Sequence, residues 1–222
     1  MKRVLLKAAA KKQKYLKRIE KIRKEEDSDG YLSSDDEEQV SDNMVSRVLE
    51  NQYIIVKYLG RGSFSKTWMV YDFLEDRFLA LKVFEERFEY EYNLELGNFK
   101  RFKGFTHPNI INFYGTIDTR FDGQIIRGLL LELLGDSIEL LVDEQYDDKI
   151  SSDIIRKVTR DILGGLDFLH SRGLVHNDMK LDNVLVSKPN YKILEYMDEI
   201  RELKINEYYL SQIEELSPKE LQ

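Results

Sequence analysis

Apolar positions follow two rhythms, and the change between them divides the chain. Between residues 52 and 131 they come in short β-branched or aromatic runs broken by turn residues. Residues 53–56, 68–71 and 78–84 read as three consecutive antiparallel strands. Residues 111–114 and 124–131 read as two more, with Phe121-Asp122-Gly123 as the turn before the last. Residues 85–103 are charged and aromatic at helical spacing. After Gly135 the rhythm is helical: Ile154, Ile155, Val158, Ile162, Leu163, Leu166, Phe168 and Leu169 form one apolar stripe ending near His170. The pattern predicts an α+β protein in two parts, five strands around one helix followed by a helical region. Two flanking segments keep helical spacing with more charge. Tyr15, Leu16, Ile19 and Ile22 lie among lysines and arginines, and Ile193, Met197, Ile200 and Leu203 lie in the acidic stretch 191–222.

Charge adds a second division. The 222 residues carry 34 Lys or Arg and 41 Asp or Glu, a formal charge of −7. Residues 1–25 are net +9 and residues 26–42 net −8, so 1–50 reads as a basic amphipathic helix followed by an acidic, disordered linker. The basic block is either a nuclear import signal or nucleic-acid patch, or a solvated helix folding back on its own linker. The interleaved Leu and Ile favour the second reading, and nucleic acid is not expected as a partner. Ser28, Ser33, Ser34 and Ser41 sit among acids where an acid-directed kinase could phosphorylate them, as serines in many linkers do. With no Cys and three His, disulfides, thiolate zinc sites, iron–sulfur clusters and a cysteine nucleophile are excluded. The run Leu129-Leu130-Leu131 stops at Glu132, and Lys7 interrupts the first apolar stretch. Neither a membrane span nor a secretory signal is therefore expected, and the location expected is intracellular, cytoplasmic or nuclear.

Three stretches carry chemistry. Between the first two strands lies Leu59-Gly60-Arg61-Gly62-Ser63-Phe64-Ser65-Lys66-Thr67. Glycines two apart let a backbone come close to a phosphate, with main-chain N–H groups covering its oxygens. The hairpin setting tells against a dinucleotide fold, which wants strand, glycine turn, then helix. Twenty residues after Gly62, Lys82 closes the run Leu79-Ala80-Leu81. Either feature alone is ordinary; together they describe a hairpin lid over a nucleotide, with an ammonium below for its phosphates. Later comes His176-Asn177-Asp178-Met179-Lys180-Leu181-Asp182-Asn183-Val184-Leu185. An Asp, a Lys two on and an Asn five on match the catalytic-loop spacing of protein kinases. Asp178 would accept the proton of an attacking hydroxyl, Lys180 would steady the transferring phosphoryl group, and Asn183 would coordinate magnesium.

From about residue 53 to residue 186 the chain resembles eukaryotic-type protein kinases, and within them the SR protein kinases. Ser65 stands for the third loop glycine, Trp68 follows Thr67, and His-Asn-Asp-Met-Lys is similar to that branch's His-Thr-Asp-Ile-Lys. A divergent or viral relative would look much the same, and its location would then be the host cell. The resemblance implies a two-lobed fold, with an N-lobe at about 53–134, a partial C-lobe at 135–189 and a spacer-like acidic helix at 190–222. It implies ATP and Mg2+ as cofactors and a protein substrate with a Ser or Thr acceptor, Arg/Ser-rich if the branch holds. Carried over by residue, 60–67 would cover the phosphates, with Leu59, Thr67 and Ala80 roofing the adenine. Lys82 would grip the α- and β-phosphates, held by Glu95 or, as second choice, Glu91. Leu131 would be the gatekeeper, with the Glu132 carbonyl and Leu134 N–H at the adenine edge. Lys180 at its offset resembles serine/threonine rather than tyrosine kinases.

Three departures stand out. Asn177 replaces the Arg that usually receives an activation-loop phosphate, which makes switching by that route doubtful. No Asp-Phe-Gly and no Ala-Pro-Glu follow Asn183, so the chain reads as the first half to two-thirds of a kinase. Apolar surface on the 151–170 helix is expected to lack the helices that would cover it. The 193–203 stripe is either a docking helix for a partner or a missing segment, or a spacer packed on the lower lobe. The leading reading is a serine/threonine kinase, incomplete as written. The alternative is a truncated pseudokinase acting as a nucleotide- or partner-binding module, and a nucleic-acid adaptor acting through residues 1–25 comes last.

Overall fold

The computed structural model describes residues 44–101, 104–121, 124–145 and 150–204. The basic helix and acidic linker read in residues 1–42, the turn centred on 122–123 and residues 205–222 of the acidic segment lie outside them. Six antiparallel strands form one sheet in the order β1-β2-β3-β4-β6-β5. They are β1 (Val48–Leu49), β2 (Tyr53–Arg61), β3 (Ser65–Asp72), β4 (Arg77–Phe84), β5 (Phe113–Phe121) and β6 (Gln124–Glu132). Sequence alone predicts five strands, and β1 is the addition. Two residues are too few to show an alternation, yet Val48 pairs with Ile54 and Leu49 with Tyr53. Val45 and Leu49 are buried, so the sheet lobe begins inside the stretch that reads as linker.

The two faces of the sheet sort by the period-2 alternation of each strand. One face carries Ile55, Trp68, Val70, Leu79, Leu81, Ile117 and Leu130. The Asp118 N–H donates to Glu50 Oε1 at 3.3 Å, so the sheet curls until its two ends meet around that core. The other face receives two helices. On β4 and β6, α1 (Glu89–Arg101) covers Ala80, Phe84, Leu129 and Leu131 with Tyr92, Leu96 and Phe99. A short 3-10 turn (Glu86–Phe88) precedes it.

The β3–β4 turn is built on one carboxylate. Asp72 is fully buried and accepts from Gln52 Nε2, the Leu74 and Glu75 N–H groups and Arg77 Nε at 3.0–3.3 Å. Replacing Asp72 by alanine orphans these donors and is expected to cost about 1–3 kcal/mol. A urea midpoint unchanged in Asp72→Ala would show that water satisfies them equally well. Beside it the Tyr71 hydroxyl donates to Asp76 Oδ1 at 2.7 Å. Burial first, then that bond, hold its pKa well above the ordinary phenol value.

The helical lobe contains α2 (Ile138–Gln145) and α3 (Ser152–His170), the latter capped by the Ser151 side chain, which accepts from the Ile154 N–H. Gly164 and Gly165 let α3 approach residues 107–110, where a Cβ on Gly165 would lie 3.0 Å from the Asn109 carbonyl oxygen. His107 stacks on Phe168 with centroids 4.8 Å apart. Part of the apolar stripe of α3 is open: Ile154, Ile155 and Leu163 are exposed, whereas Leu169 is buried.

The last described helix, α4 (Tyr191–Glu202), overturns both readings of its stripe. It packs neither on the lower lobe nor outward toward a partner but on the sheet, beside α1 on the same face. Tyr196 and Ile200 are buried among Ile54, Val56, Met69, Tyr71 and Phe78, with Ile193 and Met197 packed against that cluster. The Tyr196 hydroxyl donates to the Val56 carbonyl at 2.7 Å, and Arg201 lies 3.8 Å from Asp76. Positions 193, 197 and 200 form one helical face, and the β2–β3 half of the sheet offers the apolar surface that face needs.

Candidate active site

The glycine stretch forms the β2–β3 hairpin. The Gly62 N–H donates to the Ser65 carbonyl at 2.8 Å and closes its tip. Gly60 has φ +154°, a backbone that side-chain-bearing residues rarely adopt. Leu59, Arg61, Gly62, Ser63 and Phe64 are exposed, Lys66 and Thr67 half-buried and Ser65 buried. Phe64 rests edge-to-face on Phe88, centroids 5.3 Å apart, so the hairpin tip leans on the turn that starts α1.

Register then places the remaining roof residues. Thr67 pairs with Lys82 and Lys82 with Leu129; two residues along, Met69 pairs with Ala80 and Ala80 with Leu131. Directly paired residues point to one face, so Thr67, Ala80, Lys82 and Leu131 share the face that α1 covers. The chain reaches that face from α1 as well: Lys82 Nζ meets Glu95 Oε1 at 2.8 Å and Oε2 at 2.7 Å. Both side chains are about a third exposed, which keeps the ammonium within reach of a ligand. Of the two glutamates left open by the sequence, the structure joins Glu95 to the lysine. Arg127 on β6 ties the start of α1 to the sheet through Glu89. It is a residue the sequence reading did not single out, and a lone Arg in a strand gives no signal.

At the edge of this roof the strand β6 runs into the linker 133–138. The Glu132 carboxylate accepts from the Asn112 N–H and Nδ2, and its own N–H donates to the Asn112 carbonyl. Leu134 is half-buried. The second set of residues lies beyond α3 in an open loop. Asn177 has φ +61°, a left-handed conformation that Asn tolerates, and the Asp178 N–H donates to His176 Nδ1 at 3.3 Å. In the 3-10 turn Leu181–Asn183, Asn183 Nδ2 donates to the Asp178 carbonyl at 2.9 Å and to its carboxylate at 2.8 Å. The Asn183 amide oxygen takes no part in these two bonds. Lys180 Nζ pairs with Asp182 at 3.3 Å rather than with Asp178. Asp178, Lys180 and Asn183 are all exposed.

A lysine–glutamate pair under a glycine hairpin, with an Asp and an Asn five apart on a later loop, is found here in one chain order. The profile of the protein kinase domain matches residues 53–208. The chain belongs to the protein kinase family. A probable serine/threonine-protein kinase of Lactococcus lactis is 30% identical over 149 residues, covering 64% of this chain and 23% of the relative. SRSF protein kinase 3 of Homo sapiens is 28% identical over 177 residues, covering 71% and 31%. A crystal structure of a kinase domain aligns with TM-score 0.59 at 21% identity, covering 65% of this chain and 42% of that one, and shows the shared fold. The chain thus spans less than half the length of each of these relatives. Within the kinase fold, the curled sheet with α1 is the N-lobe, and α2, α3 and the loop 176–185 are the described part of the C-lobe.

The residues present suit ATP and magnesium. A cation already held by a carboxylate sits below a glycine turn, and the exposed loop offers an amide and a carboxylate. Among the described residues no group of three or more His, Asp or Glu could hold a metal. A magnesium ion would rest on Asn183 together with nucleotide phosphates, as this ion commonly does.

Proposed function

We propose that the chain binds ATP between the hairpin and the linker and transfers its γ-phosphoryl group to a serine or threonine hydroxyl of a protein. The observation that carries this reading is the Lys82–Glu95 pair, set opposite Thr67 and one alternation from Ala80. Glu95 fixes the ammonium where it can neutralise α- and β-phosphate oxygens, while the hairpin N–H groups cover the phosphates from above. Leu59, Thr67 and Ala80 give the adenine an apolar roof, and the Glu132 carbonyl and Leu134 N–H meet its edge. Magnesium, when bound at Asn183, supplies positive charge to the phosphate oxygens. Asp178 accepts the hydroxyl proton as the new oxygen–phosphorus bond forms and the bond to the β-phosphate oxygen breaks. Lys180 leaves Asp182 to steady the moving group.

Within the family we place the chain near the SR protein kinases, with an Arg/Ser-rich peptide as substrate. Ser65 and Trp68 around the hairpin, the sequence of the 176–180 loop and the likeness to SRSF protein kinase 3 support this. The test is titration of the 222-residue chain with ATP and Mg2+, then transfer of labelled phosphate to an Arg/Ser-repeat peptide. Saturable ATP binding by the chain is expected, and, once a kinase segment carrying the Asp-Phe-Gly motif is added, serine labelling that disappears in Asp178→Asn. Absence of binding at millimolar ATP would overturn the reading; labelling of an acidic peptide in preference to the Arg/Ser one would overturn the branch.

A further inference from the structure

The segment after Asn183 is zipped to the interlobe linker. The Ile138 N–H donates to the Val184 carbonyl at 2.8 Å, the Val186 N–H to the Asp136 carbonyl at 3.0 Å, and the Gly135 N–H to the Val186 carbonyl at 2.9 Å. Ser137 and Leu185 face one another in this short antiparallel bridge. The approach is close: a Cβ on Gly135 would strike the Lys188 carbonyl oxygen and a Val186 methyl. Four residues on, Asn190 Nδ2 donates to both carboxylate oxygens of Asp136, at 3.2 and 3.0 Å. Its Oδ1 accepts from the Ile193 N–H at 3.0 Å and caps α4, and α4 in turn is anchored under the sheet.

We infer that Asp136 and Asn190 are positioning residues, a side-chain pin that fixes the register between the linker and the segment that directly follows Asn183. The inference rests on the nucleotide-binding reading above. Backbone bonds alone hold a short antiparallel pair weakly in register, because a slipped pairing satisfies the same groups. A side-chain bond between two particular residues admits one register. The register matters because Val184 directly follows Asn183. A slip of one residue moves a strand by about 3.3 Å, whereas a site must be held to within roughly 0.5 Å. Asn183 in turn holds the Asp178 carboxylate. The pin therefore sets both groups against the linker that carries Glu132 and Leu134, and so against the nucleotide.

Asn190 also caps a helix, and the test must separate the two roles. Asn190→Asp keeps a good capping oxygen but turns a carboxylate toward Asp136. The double variant Asp136→Asn/Asn190→Asp exchanges donor and acceptor and restores the link. ATP affinity of the full chain is measured with and without Mg2+, alongside amide hydrogen exchange of residues 176–186. Supporting groups behind a metal ligand typically contribute about 10–100-fold to affinity. Asn190→Asp is expected to lower the Mg2+-dependent gain in ATP affinity by about tenfold. The Mg2+-free affinity stays unchanged, and the double variant recovers the gain. Faster exchange of 176–186 in Asn190→Asp, reversed in the double variant, accompanies it. An undiminished Mg2+ gain in Asn190→Asp, or a loss that the exchanged pair does not repair, overturns the inference. If the unmodified chain binds no ATP, the nucleotide reading fails by itself and the exchange measurement still decides the pin: unchanged protection of 176–186 in Asn190→Asp sinks it.

Discussion

Shortening Ile200 to alanine is expected to destabilise the N-lobe by about 2–5 kcal/mol, the range for removing a buried aliphatic side chain that leaves a cavity. Ile200 is completely buried beneath Ile54, Met69, Tyr71 and Phe78, although it lies 15 residues beyond the 176–185 loop in sequence. Tyr196→Phe removes only the hydroxyl that serves the Val56 carbonyl and is expected to cost about 1 kcal/mol. The single tryptophan makes the measurement direct. Trp68 is buried on the inner face of the sheet, so its fluorescence during urea unfolding reports the N-lobe itself. Leu163 on α3, 59% exposed, is the control, and its truncation is expected to stay within about 0.5 kcal/mol. Equal losses for Ile200→Ala and Leu163→Ala would remove α4 from the N-lobe core.

The second large effect is on ATP. Lys82→Met deletes the cation beneath the hairpin, and ATP affinity is expected to fall about tenfold or more. A hydrogen bond from a charged donor is worth about 1.5–3 kcal/mol, and about 1.4 kcal/mol is a factor of ten. Glu95→Gln keeps the ammonium but loosens its seat, so a smaller loss in the same direction is expected. Glu91→Gln should change nothing, since the lysine is joined to Glu95. Because both partners are about a third exposed, stability should move by less than about 1 kcal/mol in all three. Equal losses from the Glu91 and Glu95 variants would show that the ion pair does not set the affinity.

The strongest periodicities were legible without coordinates. Strands β2, β3, β4 and β6 and the helices α1 and α3 lie where β-branched alternation or a helical stripe predicts them. The apolar run places strand β5 two residues early, at Ile111, and the strand continues through Thr116, Asp118 and Arg120, whose polar side chains hide it. Strand β1 leaves no signal in the sequence because its two residues carry no period. The hairpin glycines, Lys82 and the 176–185 loop could be named because their chemistry depends on spacing along the chain. Asn190 left a faint trace, an Asn just ahead of an apolar stripe, which is the signature of a helix cap. Nothing in the sequence said that its other end would find Asp136.

Sequence by itself determined the element types, the order of the chemistry and the membership of the family, since these follow from local preference and from fixed offsets. Only the tertiary structure decided which glutamate meets Lys82, where α4 packs, and what ties Asn183 to the linker. The physical reason is the same in each case. A helix stripe or a carboxylate announces that it needs a partner, but several partners would satisfy it. Glu91 and Glu95 are one turn apart on α1, and the Ile193–Ile200 face would fit either lobe. Strand register and the competition among apolar surfaces for the same cover make the choice, and those are properties of the assembled sheet rather than of any segment.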